Sequence, residues 1–407
     1  MRDRGHDPRA RPGAPHRQRE GDRRGVPVAH PRRRADAGLH PPRAGQCLRL
    51  RRKQRLDGAG EGVRTVRERI ALTGIGLVSP AASSLEGFAR VRAAGAGVAC
   101  GGTLPFPDFD PARYLGERGF KYLTPATQYG LAAARLALDD AGVGDHYQGG
   151  ERGVVLGTNF AVWSVLADMD ATILRNGADQ IRPAEAANFS VNIPASQLSI
   201  RYGFHAFNVT ITTARIAGLE ALALGTECLR RGRARMVLAG AVEGRAPEAL
   251  QGYFSAPIAE GAACLVVLEL LSAARERGAR VHGEVGPSLF RFWPAVLGGP
   301  SSPEADGGSD GALAALIGPE ADPLHLFEAG HGCPRCERLT GIVAAAAASA
   351  GRTVERHVLS DRFGECSTVS PMMQVVDLCR SGLDAGLVVA ASPQGHAALG
   401  RWAGAAA

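Results

Sequence analysis

The chain has 407 residues, of which 45% are hydrophobic and 21% charged, a composition that excludes a disordered or fibrous protein and allows one large layered core or two fused domains. Its formal charge of +7 does not point to nucleic acid, because residues 1–67 hold 19 Arg or Lys against 7 Asp or Glu and leave the remainder at −5. That basic segment has no aromatic residue for base stacking, and no apolar run in the chain nears the roughly 20 residues that cross a bilayer; nucleic acid and membrane insertion are therefore not expected, and a cytoplasmic location is.

Residues 1–67 have the Arg, Pro, Gly and Ala bias of GC-rich DNA read in a wrong frame. They are expected to be either a disordered basic leader or a mis-called start, with the true start near Val66, and are set aside from fold reasoning.

From Arg69 onward, short apolar runs alternate with helical patterns, which predicts an α/β protein with strands buried on both faces. The predicted strands are 69–79, 153–159, 208–213, 235–240, 263–269, 324–330 and 386–392. The segment "TPATQYGLAAARLALDDAG" predicts a helix opened by Thr124, with Pro125 at its first position and Gly142 at its end. A second helix, 216–230, places Leu219, Leu222, Ala223, Thr226 and Leu229 on one apolar face. The strand before it turns sharply into its start, an elbow of the kind that presents a nucleophile, yet the corner, expected to be exposed, carries Arg215. The Gly, Ser and Pro-rich stretch 297–311 predicts a connection between halves, and the alanine run 343–348 is expected to be helical.

Eight cysteines, at 47, 100, 228, 264, 333, 336, 366 and 379, suggest reduced thiols rather than a disulfide framework. Cys333 and Cys336 form a lone CxxC; zinc wants about four ligands and no second pair follows at finger spacing, so no metal is expected there.

Taken in order, "IALTGIGLVSP", "FKYLTPATQYGLAAARLALDDAGV", "GVVLGTN", "IPASQLSIRYG", "ITTARIAGLEAL", "LRRGRARMVLAGAVE" and "EGAACLVVLE" resemble the N-terminal half of β-ketoacyl synthases, with good coverage over 69–272 and thin coverage afterwards. The resemblance implies a thiolase-like fold of five layers, αβαβα, built from two similar halves, here 68–272 and a degenerate 273–407, and working as a dimer. Condensing members use a cysteine in T-A-C-x-x-G and two histidines. Here the motif reads Thr213-Ala214-Arg215-Ile216-Ala217-Gly218, so Arg215 stands at the nucleophile's position. A guanidinium has no available lone pair at neutral pH and cannot be acylated by a thioester. A cation at a helix N-terminus also opposes the dipole, so Arg215 is expected to reach for a carboxylate, a phosphate or a partner chain, plugging or lining the old pocket.

"EAGHGCPRCE" matches the family's N-A-H-G-T one residue out of register and offers His331, whose expected role is structural; "SDRFGECSTVSPMM" puts Glu365 where the second histidine belongs. The final glycine-rich loop appears as "ASPQGHAALG", 391–400, with His396 read as a surface loop residue, and the R-P-F-D segment of active members is missing between Glu243 and Glu260. No catalytic residue is therefore expected, only the vestigial positions Arg215, His331 and Glu365. Residues 46–62, back-translated and shifted by one nucleotide, permit "NAFGFGGNNGSMVLAKA", whose opening resembles a ketosynthase ending and would place such a gene just upstream.

The implied function is that of a non-condensing, chain-length-factor-like subunit paired with an active ketosynthase in polyketide, aryl polyene or fatty-acid-type synthesis. It has no cofactor of its own; the partner handles the phosphopantetheine thioesters of the acyl carrier protein. Two alternatives stay open: a malonyl-carrier decarboxylase or priming acyltransferase using His331, and a scaffold homodimer.

Overall fold

A computed structural model describes residues 68–94, 102–106, 108–183, 187–247, 256–293, 311–318, 322–330 and 332–404. The segment 1–67, residues 297–310 of the expected connection 297–311, the stretch 248–255 and His331 lie outside the described residues, and Gly311 already opens a helical turn.

Twelve strands are described: β1 Ile70–Val78, β2 Thr103–Leu104, β3 Arg152–Gly157, β4 Phe207–Ile211, β5 Met236–Glu243, β6 Ile258–Ala259, β7 Ala262–Leu270, β8 Gly283–Phe292, β9 Leu324–Ala329, β10 Val354–Val358, β11 Ala385–Ala391 and β12 His396–Gly404. All seven sequence-predicted strands are present. β2 and β6 pair with each other, and the other ten run in the order β10-β9-β11-β12-β8-β1-β7-β5-β3-β4.

That order contains an internal repeat. Read from one edge, β4-β3-β5-β7-β1 has two parallel ladders followed by two antiparallel ones; β10-β9-β11-β12-β8, read from the other, has the same ladders in the same chain order. Among the described residues, the two half-sheets pair where Ile70, Ala71 and Leu72 face Val285, Glu284 and Gly283. One half spans β1 to β7 and the other β8 to β12, two units of like topology.

Two helices fill the space between the halves. Ala217–Arg230 follows β4, and Val369–Arg380 holds the corresponding place after β10. The latter is buried from Val369 through Cys379, as befits a helix with sheet or helix on every side. Leu219, Leu222 and Leu229 of the first share one core with Met372, Val375 and Val376 of the second and with strands of both halves. Outside, Pro125–Ala141 packs on β1, β5 and β7, while Pro334–Ser349 packs on β9 and β11. Helix, half-sheet, central helices, half-sheet, helix: these are the five layers of the expected thiolase-like fold.

Local chemistry sets the boundaries. The Thr124 hydroxyl accepts the Thr127 N–H, Pro125 occupies the first turn, and Gly142 closes the helix in the left-handed conformation. No helix among the described residues is long and apolar enough to cross a membrane.

Candidate functional site

Both central helices begin at a tight turn. After β4 the chain passes through the short 3-10 turn Ala214–Ile216 into Ala217–Arg230; before the second helix it passes through Glu365-Cys366-Ser367. Among the described residues, the non-glycine positions with positive φ are Ala214 (43°) and Ser367 (51°), one in each turn. A left-handed backbone without glycine costs about 1–3 kcal/mol and is held in place by its surroundings. Gly218 explains how the turns come together: a Cβ there would lie 2.6 Å from the Thr368 carbonyl oxygen, so only glycine lets the second helix start this close to the first.

The side chains at these turns form an ion pair. Arg215 Nη2 lies 3.3 Å from Glu365 Oε2, and both side chains are 2% exposed. The sequence reading of Arg215 at an exposed corner is therefore corrected: the guanidinium turns inward and takes the carboxylate of its own chain. Burial works against its charge, but Glu365 and the Cys336 and Cys333 sulfurs outweigh it and hold its pKa above the usual arginine value. Burial pushes the Glu365 carboxyl up, opposed by Arg215 and by the Ser367 N–H, which donates to Oε1 at 2.8 Å.

Gly330, the first residue past β9, makes room for this arrangement. Its φ is +89°, and a Cβ on it would fall 1.9 Å from Arg215 Nη1. No side chain at 330 is compatible with the guanidinium where it sits. Of the expected positions Arg215, His331 and Glu365, the structure brings Arg215 and Glu365 together, Gly330 lies against Arg215, and His331 lies outside the described residues.

Two further groups join this site: the CxxC pair, whose spacing gave no hint of this place, and Glu243. Arg215 Nη1 donates to Cys336 Sγ at 3.1 Å, and the Cys336 thiol reaches the Ala391 carbonyl at 3.4 Å. Cys333 is the N-cap of Pro334–Ser349, so the CxxC begins a 16-residue helix and abuts Arg215. Hydrogen bonding with Cys336, and behind it the Arg215 charge, pulls the Cys333 thiol down to about 5 against the opposing effect of burial. Glu243, at the end of β5, is fully buried and accepts from Phe160 N (2.7 Å), Asn159 N (3.1 Å) and the Thr368 hydroxyl (2.7 Å), tying the turn after β3 to the start of the second central helix. It is a positioning residue, and only its place at a strand end in the sequence hinted at this.

These turns floor an open cavity of about 650 Å³ lined by Arg215, Asn159, Thr213, Ser367, Arg335 and His396, among others. His396 is the first residue of β12, half-buried, its ring set edge-on to Phe292, so its reading as a surface loop residue is also corrected. Hydroxyls, amides and guanidinium groups on this wall can hydrogen-bond a ligand, and the corner of the elbow presents a guanidinium, which is not a nucleophile.

Residues 96–259 match the model of the β-ketoacyl synthase N-terminal domain. The 3-oxoacyl-[acyl-carrier-protein] synthase 2 of Vibrio harveyi is 25% identical over 286 residues, 61% of this chain and 68% of that one. The ketoacyl synthase alpha subunit of the tetracenomycin polyketide synthase of Streptomyces glaucescens is 27% identical over 267 residues, 54% of this chain and 62% of its own length. Among solved structures, a type II polyketide ketosynthase in complex with its acyl-carrier protein (AntDE:AntF) superposes with a TM-score of 0.69 at 20% identity, covering 83% of this chain and all of that one. The ishigamide ketosynthase/chain length factor does so with 0.67 at 17%, covering 84% and all of that chain. Motif order, repeated topology and these similarities agree: the chain has the thiolase-like fold, and residues 96–259 are similar to the N-terminal domain of β-ketoacyl synthases.

Proposed function

We propose that this protein is a non-condensing ketosynthase-like subunit that pairs with an active ketosynthase, in the manner of a chain length factor, in carrier-protein-dependent polyketide or fatty-acid-type synthesis. The observation that carries this reading is the buried Arg215–Glu365 pair with Gly330 beside it. In a condensing enzyme the elbow must supply a thiolate and its surroundings must polarise a thioester. Here the elbow supplies a cation, Glu365 neutralises it, and Gly330 yields the intervening space. The two replacements and the glycine beside them fit one another, which is what a pocket kept for packing rather than for chemistry requires.

Similarity to a ketosynthase/chain length factor supports a heterodimeric partner, and similarity to a ketosynthase in complex with a carrier protein supports a carrier in the same assembly. The helix Trp163–Asn176 buries none of its residues and turns Trp163, Leu166, Ile173 and Leu174 outward, the last 86% exposed. Such an apolar helix face suits a protein partner, and we assign it to the ketosynthase. Thioester chemistry then belongs to that partner, and this chain contributes a wall to the shared assembly.

Co-expression with an active type II ketosynthase tests the reading. A stable one-to-one complex is expected, weakened by Leu174→Glu without loss of helical signal. A homodimer that ignores the ketosynthase would establish the scaffold reading instead. Release of carbon dioxide from malonyl-loaded carrier by this protein alone, abolished by His331→Ala, would establish the decarboxylase reading.

A further inference from the structure

Far from the elbow, at the outer edge of the sheet, β9 and β10 run parallel with Glu355 opposite His325 and His357 opposite Phe327. Side chains alternate along a strand, so His325, Glu355 and His357 fall on one face. Their polar atoms converge: His325 Nδ1 and His357 Nε2 are 3.1 Å apart, His325 Nδ1 and Glu355 Oε2 3.4 Å, and His357 Nε2 and Glu355 Oε1 4.0 Å. All three ligand atoms lie within 4.8 Å of one another.

We propose that His325, Glu355 and His357 bind a divalent transition-metal ion of the zinc class. Bonds of about 2.0–2.1 Å from a tetrahedral ion to imidazole nitrogen and carboxylate oxygen set ligand atoms roughly 3.3 Å apart, close to the separations found here. Two imidazoles and one carboxylate suit zinc, cobalt, nickel or copper better than magnesium or calcium, which take oxygen ligands. The site is also supported from behind. Phe327 stacks on the His357 ring at 4.4 Å and 15°, fixing its plane, and the nearby cation Arg92 is paired with Asp377. The imidazoles are 18 and 19% exposed and Glu355 56%, so the ligands stand on rigid strands with an open mouth toward solvent. A bound ion would clip the edge strand β10 to β9, with water completing its coordination.

Cobalt(II) titration of the metal-free, untagged full chain tests this, because it separates a histidine and carboxylate site from the thiols of Cys333 and Cys336. The expected result is one equivalent bound with visible ligand-field bands and no thiolate-to-cobalt charge transfer, unchanged in Cys333→Ser/Cys336→Ser. Glu355→Gln, at the most exposed ligand and so the substitution least disruptive to folding, and His357→Ala should each weaken zinc competition by about tenfold or more. Thermal unfolding should show a zinc-dependent rise lost in both variants. Binding unaffected by Glu355→Gln and His357→Ala, or a thiolate band that vanishes with the cysteines, would overturn the proposal, as would the absence of binding in a protein whose circular dichroism shows it folded.

Discussion

Arg215 Nη2 and Glu365 Oε2 meet 3.3 Å apart at the starts of the two central helices, each side chain sealed from solvent. The two residues come from opposite halves of the repeat, so the pair couples the halves at the starts of the central helices.

A double-mutant cycle on this pair should show strong coupling. Arg215→Met leaves a carboxylate buried without its cation and should cost about 3–5 kcal/mol, as breaking buried pairs generally does. Arg215→Met combined with Glu365→Met should be more stable than Arg215→Met alone. Urea denaturation of the four proteins measures this; additive losses would show that the two side chains do not depend on each other.

Gly330→Ala should be destabilising by at least about 1 kcal/mol, because it combines a positive φ with a Cβ placed against Arg215 Nη1. Shortening the arginine relieves only the second effect. The penalty for Gly330→Ala should therefore be smaller in an Arg215→Ala background, and an equal penalty in both would separate Gly330 from the guanidinium.

The two halves of this site were unequally legible in the sequence. Arg215 and Glu365 could each be placed by motif, and the helix opened by Thr124 and Pro125 was fixed by local capping chemistry. Their contact could not be read, since it depends on Gly218 letting one helix approach another more than 140 residues later in the chain, a close approach with no local signature. β8 and β12 were missed for a different reason. β8 carries Gly283, Gly286 and Pro287 and is exposed along one stretch, and β12 is built largely of alanine and glycine, so neither has the continuous branched apolar run that marked β5 or β7. Reading 391–400 as loop followed from that, and with it the misplacement of His396.

The Cys333 thiol should ionise near pH 5 in the reduced protein, followed by ultraviolet thiolate absorbance. Because hydrogen bonding with Cys336 is the larger cause, Cys336→Ala should move the transition toward the ordinary thiol value of about 8.5, and Arg215→Gln should move it in the same direction by less. A transition unchanged by either substitution would contradict the assignment.

Away from the site, Glu269 is fully buried and held by Arg277 at 2.6 Å, by the Tyr147 hydroxyl at 2.5 Å and by Thr73. Burial opposes its charge, but these bonds outweigh it and keep its carboxyl below the ordinary range. The stability this ionised group contributes is complete above about pH 4.3 and is lost as pH falls through its lower folded value. Arg277→Gln should therefore cost about 3–5 kcal/mol near neutrality, with the gap to the parent narrowing in acid. A gap independent of pH would mean the pair is not what stabilises Glu269.

The most direct test is intact-mass analysis of the purified chain after incubation with acyl-loaded and malonyl-loaded carrier protein, alone and with an active ketosynthase. With a guanidinium at the elbow, the account predicts no acyl adduct on this polypeptide under either condition, and an adduct on the ketosynthase when both are present. A covalent acyl group on any residue of this chain, formed without the partner, would contradict it.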